Sequence, residues 1–233
     1  MIALASFDLE TTGVDTENDR IVSGAVSLLD EDGELLDWHE WKVNPEIHIP
    51  AEATAVHGIT DEMAALGQVP GEAIAEMVGH LRTAIGANLP IVIYNAPFDL
   101  SMLDAGTRRH FGKELKELMP RPNVFDPLVL DKQFDRFRKG KRTLVAAAEH
   151  YGVKFEGEAH GALADSIAAG RVLQSMLRRF DDLALAASVN PDGVHAAQVE
   201  WARSQAESFA DYLRRSGKDA SDVNTHWPIK ITG

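Results

Sequence analysis

The segment Phe7-Asp8-Leu9-Glu10-Thr11-Thr12-Gly13 follows the apolar run Ala3-Leu4-Ala5-Ser6 and places two carboxylates two residues apart. On an extended chain such residues leave the same face, so Asp8 and Glu10 point one way while Phe7 and Leu9 turn to the core. Acids at a buried strand end must be neutralised by a cation or by protons, because unpaired buried charge is costly. The pair fits either one hard-cation site or two ordinary acids where a strand emerges into solvent. With zero Cys in the chain, disulfides, thiolate zinc sites and a cysteine nucleophile are excluded. Any metal here takes oxygen or imidazole ligands.

Three further residues have types suited to the same chemistry. Asp99 ends Asn95-Ala96-Pro97-Phe98-Asp99, and His160 and Asp165 bound His160-Gly161-Ala162-Leu163-Ala164-Asp165. Taken singly, each has a plain alternative: a first-turn acid beside a helix dipole, a loop histidine and a solvated helix position. Residues five apart on a helix point about 140° apart, so His160 and Asp165 cannot both face one site from mid-helix. His160 is therefore expected in the loop before the helix, free to swing in when substrate and metal are bound. Asp126, in Phe125-Asp126-Pro127, reads as a helix cap or a partner behind the site rather than a ligand.

These residues need elements to hold them. Residues 3–7 read as a buried strand, and 20–29 with 35–43 as an antiparallel hairpin around Asp30-Glu31-Asp32-Gly33. A helix over 70–85 leads to the wholly apolar run 90–94, a strand of the kind buried on both faces. Asn95 or Ala96 then caps a helix with Pro97 near its first position. Residues 124–125 form a fifth short strand, followed by helices over 128–137, 143–151 and 161–180. One more amphipathic helix is expected after residue 181, with Val194, Trp201 and Tyr212 in one stripe. Asp8, Glu10, Asp99 and Asp165 thus fall where strands end or helices begin, and in an open α/β sheet such positions converge on one crevice.

The chain has 233 residues, 45% of them apolar, enough for one well-buried domain. No run is long and apolar enough to span a membrane and no signal peptide is indicated, so a cytoplasmic protein is expected. A net charge of −13 argues against a protein that coats nucleic acid non-specifically. It leaves room for an enzyme that grips a short strand, since bound cations reverse the local field. Arg136, Arg138, Lys139, Lys141 and Arg142 form the one dense basic run, either a solvated loop or a guide for a nucleic-acid backbone.

The three ordered motifs resemble the DEDDh family of 3′-to-5′ exonucleases, the ribonuclease H-like group that includes the proofreading epsilon subunits of bacterial DNA polymerase III. His57-Gly58-Ile59-Thr60 matches a further landmark of that family. The resemblance covers residues 1–180, taken as an exonuclease domain, with 181–233 as a helical C-terminal extension packed on or beside it. It implies an α/β, ribonuclease H-like fold: a five-stranded mixed sheet flanked by helices, with three strands antiparallel and two parallel.

The resemblance also implies two divalent cations, Mg²⁺ or Mn²⁺, held by Asp8, Glu10, Asp99 and Asp165. Asp8 would bridge them, Glu10 and Asp165 would hold the one that carries the attacking water, and Asp99 would support the other. His160 would take the proton from that water. Thr11, His57, Ile59, Asn95 and Phe98 would contact the terminal nucleotide, with Ile59 against base or sugar; the plain alternative makes His57-Gly58 only a turn. The implied activity is metal-dependent release of nucleoside monophosphates from the 3′ end of DNA, of proofreading or repair type. The implied partners are a single-stranded 3′ end and a polymerase or another replication or repair protein. Two rivals stand beside it: an exoribonuclease trimming RNA 3′ ends, and a non-catalytic binding or scaffold module.

Overall fold

A computed structural model describes residues 2–155 and 161–230; His160 lies outside the described residues. Its centre is a five-stranded sheet in the order β3-β2-β1-β4-β5. Strands β1 (Leu4–Thr11), β2 (Ile21–Leu29) and β3 (Leu35–Lys42) are antiparallel. The short β4 (Ile91–Val92) and β5 (Val124–Phe125) continue parallel to β1. This is the mixed sheet expected from the sequence.

The two-residue period of β1 assigns its side chains to two cores. Phe7 and Leu9 join Ile74, Met77, Leu100 and Leu103 on one face, packed against α3 (Pro70–Gly86) and α4 (Ala96–Phe111). Leu4 turns to the other face, with Tyr151 of α7 (Leu144–Tyr151) and Val172 and Leu173 of α8 (Ala162–Arg179). The period puts Asp8 and Glu10 on the α8 side with Leu4 and Ser6. Helix α8 lies close to the sheet: a Cβ at Gly170 would come within 2.7 Å of Leu29 and 3.0 Å of Leu4. Ser166 Oγ donates to Ser27 Oγ at 3.1 Å, one residue from Asp165.

Local signals account for most helix starts. Thr60 caps α2 (Asp61–Ala64), Asp126 caps α6 (Pro127–Phe134) and Thr143 caps α7. Asn95, in the left-handed region at φ 66°, precedes α4 with Pro97 in its first turn. The short helices α1 (Ala51–His57) and α5 (Leu115–Leu118) complete the set before residue 180.

The segment after Phe180 differs from expectation. It forms two helices, α9 (Asp181–Val189) and α10 (Pro191–Arg215), separated at Asn190, whose side chain accepts from Gly193 N. The stripe holds only in part: Val194 is buried and Trp201 packs against both cores, but Tyr212 is exposed and stacks on exposed Phe209. Helix α10 covers the outer edge of β5. Gln198 Nε2 donates to Val124 O at 2.9 Å, and its Oε1 accepts from Asp126 N at 2.7 Å. Together with His195 Nδ1, which accepts from Val124 N at 3.1 Å, the side-chain amide takes the place of a neighbouring strand on this edge. No helix among the described residues is long and apolar enough to cross a membrane.

Candidate active site

The site forms because β1 is longer than its parallel neighbour. Pairing between them involves Ala5 with Ile91 and Ser6 with Val92. Past this point β1 runs on alone on that side, and the chain after β4 turns into α4, opening the crevice expected where strand connections diverge. The Leu9 N–H, left without a strand partner there, donates to Asp99 Oδ1 at 3.0 Å. Asp99 is buried at 3% exposure, one oxygen committed to the backbone of β1. A register irregularity between Glu10 and Thr11 marks the end of regular pairing with β2.

Asp8 and Glu10, half-buried on the α8 face, meet Asp165 from the first turn of α8. One ligand atom from each of the three lies within 4.8 Å of the other two. Burial raises the Asp8 carboxyl well above its ordinary range, and the charges of Asp99, Asp165 and Glu10 add to the rise. Glu10 is pushed up to about 8 by burial and by Asp165. Asp99 is raised too, chiefly by burial, against backbone hydrogen bonds including the one from Leu9. The carboxylates of Asp8, Glu10 and Asp165 could hold a metal ion between them, and their donors are the oxygens that hard divalent cations take.

Asp126 is at once a cap and a brace. It accepts from Leu128 N at the start of α6, and from Asn95 N (2.9 Å) and Ala96 N (3.0 Å) at the start of α4. Trp227 Nε1 approaches its Oδ2 at 3.3 Å. Asp126 therefore holds the turn that presents Asn95, Phe98 and Asp99, in keeping with the role behind the site read from the sequence.

The other sequence-derived positions each have their own surroundings. Thr11 is buried, its Oγ1 donating to Gly13 O at 2.7 Å. His57 ends α1 before Gly58 at φ 74°, and its Nδ1 accepts from Ile59 N at 3.1 Å. Burial lowers the His57 pKa while the Thr11 backbone partly offsets this, so the two segments adjoin. Ile59 is half-buried against the small cluster of Val22, Ile49 and Ala64. Asn95 is exposed, and Phe98 packs partly into the main core.

The basic run divides, contrary to its treatment as one unit. Arg138 and Arg142 are turned inward onto Asp131, which is fully buried: Arg138 Nη2 and Arg142 Nη1 reach its Oδ2 at 2.8 and 2.5 Å. Tyr151 Oη donates to Asp131 Oδ1 at 2.7 Å, and Tyr94 Oη donates to Arg142 O at 2.8 Å. Burial alone would raise the Asp131 pKa, but the bonds from Arg138, Tyr151 and Arg142 carry it below its ordinary value. The sequence reading missed this node, since one Asp within an amphipathic helix looks like a solvated residue. The one available signal is the arginine pair itself, which needs a carboxylate wherever it is buried.

A family model described as Exonuclease matches residues 6–173. The chain is 31% identical over 179 residues to a DNA polymerase III PolC-type of Clostridium perfringens, a match that takes in 76% of this chain and 11% of that protein. The chain thus spans about a tenth of the length of such curated relatives. Among solved structures, E. coli Exonuclease I in complex with a dT13 oligonucleotide superposes with a TM-score of 0.64 at 19% identity, over 80% of this chain and 44% of that one. The nuclease domain of 3'hExo, a DEDDh family member bound to rAMP, gives a TM-score of 0.58 at 18% identity, over 76% of this chain and 92% of that one.

Proposed function

The chain belongs to the exonuclease family whose model spans residues 6–173, of the DEDDh type, and from that premise we propose that it releases nucleoside monophosphates from the 3′ end of single-stranded DNA. The observation that carries this reading is the convergence of Asp8, Glu10 and Asp165 within 4.8 Å, with Asp99 beside them. A scaffold has no use for carboxylates that raise one another's pKa.

In this reading Asp8, Glu10 and Asp165 hold divalent cations of the Mg²⁺ or Mn²⁺ kind, with Asp99 supporting from the α4 side. Two such ions supply Lewis acidity toward water and toward the phosphate. Asp99, tied to Leu9 N–H, keeps β1 and α4 in register, and Asp126 fixes the turn at Asn95. His160, two residues ahead of α8 in sequence, accepts the proton of the attacking water, a task for a group that titrates near neutrality. Thr11, His57, Ile59, Asn95 and Phe98 border the terminal nucleotide. Residues 1–180 form the exonuclease unit; the extension from 181 is read as a brace on its β5 edge through Gln198 and Trp227.

DNA is favoured over RNA by the similarity to a DNA polymerase III PolC-type. That relative also favours a replication or repair setting, with a polymerase as partner. The test is hydrolysis of 5′-labelled single-stranded DNA, mismatched duplex and short RNA with Mg²⁺ or Mn²⁺, wild type against Asp8→Asn. Stepwise shortening of DNA from the 3′ end, lost in Asp8→Asn, is the expected result. Faster trimming of RNA than DNA would move the assignment to an exoribonuclease, and no hydrolysis of either would return the scaffold reading.

A further inference from the structure

An acidic protein that draws a polyanion to a cluster of carboxylates needs cations at the mouth of the cleft, and two arginines of the basic run, Arg138 and Arg142, are committed to Asp131. The C-terminal tail supplies one instead. Trp227 is buried in the main core, with Nε1 on Asp126, and Ile229 packs against the same core. Lys230 N then donates to Ser101 Oγ at 2.8 Å, two residues beyond Asp99 on α4. These contacts fix the backbone of the tail beside the second acidic motif. The Lys230 Nζ stands 5.9 Å from the centroid of the Phe98 ring. Asp15, in the loop after the first motif, is near enough to feel its charge: hydrogen bonds from Asn18 and the Glu17 backbone lower the Asp15 pKa, and Lys230 adds to the effect.

Lys230 therefore stands beside the helix of the second motif. No salt bridge joins it to a carboxylate among the described residues. Beside it opens a cavity of about 440 Å³ whose walls include Asn95, Pro97, Lys132, Phe209 and Trp227, with Asp219 and Asp222 among its other lining residues. A cation next to an aromatic ring at the edge of a cleft matches how single strands are gripped: charge on the phosphates and an apolar surface for bases. We propose that Lys230 is a further substrate-binding residue, whose ammonium takes a backbone phosphate of the strand upstream of the bond to be cut.

This inference rests on the exonuclease reading, and the experiment separates the two. Binding of a 5′-fluorescein dT oligonucleotide with phosphorothioate 3′ linkages is measured by anisotropy across a salt series, for wild type, Lys230→Ala and Lys230→Arg. Lys230→Ala should raise Kd about tenfold and lower the slope of log K against log salt by about 0.7. Lys230→Arg should stay near wild type, and all three should melt at the same temperature. Equal Kd and slope for Lys230→Ala and wild type would overturn the proposal, as would an arginine variant as weak as the alanine one, which would make the effect one of packing. Hydrolysis of an unmodified strand by wild type, run alongside, judges the exonuclease reading independently.

Discussion

Asp99 accepts the Leu9 N–H at 3.0 Å, so a carboxylate from the first turn of α4 serves as the hydrogen-bond partner that β1 lacks beyond the end of β4. One side chain thus joins the geometry of the sheet to the charge of the site. Substitutions at Asp99 should separate the two roles. Asp99→Asn keeps an acceptor for Leu9 and removes a buried charge that its neighbours oppose, so melting in EDTA should match or exceed wild type while hydrolysis falls at least about a hundredfold. Asp99→Ala leaves a buried N–H unsatisfied and should be less stable than Asp99→Asn by about 1–3 kcal/mol. Equal stability of the two variants would show that the Leu9 contact contributes nothing.

The pH dependence of the metal-free protein follows from Glu10. Its folded pKa, about 8, stands above the ordinary 4.5. Between those values the folded state binds more protons than the unfolded one, so stability is greatest at the acid end and falls as pH rises through that window. Urea midpoints in EDTA should decline from pH 5 to pH 8.5, and Glu10→Gln should flatten that decline. A rising midpoint would show that Glu10 ionises without penalty.

Divalent cations should relieve the same repulsion. Mg²⁺ or Mn²⁺ should raise the melting temperature of wild type at pH 8, by an amount equivalent to about 2.7 kcal/mol at a hundred times Kd. Asp8→Asn should respond far less, because it lacks a ligand and has less charge to neutralise. Calorimetric scans with and without metal decide it; an equal response in both proteins would place the bound ions elsewhere.

His160 carries the proton-transfer assignment. His160→Gln should lower kcat by about 10²–10⁴ while oligonucleotide Kd and the cation-induced gain in melting temperature stay as in wild type. Single-turnover rates across pH give the sharper check: the wild-type limb near neutrality should vanish in the variant.

The Asp131 node yields a contrast within one loop. Arg138→Ala leaves a buried carboxylate short of a partner and should cost about 3–5 kcal/mol. Arg136, Lys139 and Lys141 are exposed, and replacing them together with Gln should leave stability nearly unchanged while weakening the salt dependence of binding. Chemical denaturation together with salt-series anisotropy distinguishes the two outcomes.

What the chain determines by itself is everything set by short-range geometry. The two-residue period of an extended strand puts Asp8 and Glu10 on one face whatever they meet there. Pro97 and Asp126 are read locally because caps and first-turn prolines act within a few residues. The ordered motifs, with their spacing, were sufficient for the family. Long-range partnerships lay beyond that reach. That Asp99 serves Leu9, that Asp131 pairs with Arg138 and Arg142, and that Gln198 covers the β5 edge depend on which surfaces the crossovers bring together. Tyr212 and Trp201 share a helical stripe, but only Trp201 reaches the cores, because burial depends on what lies opposite a helix face and not on its periodicity. Lys230, well beyond the last motif in sequence, was invisible for the same reason: a lysine's meaning is set by its neighbours, and those are supplied by the folding of the tail onto α4.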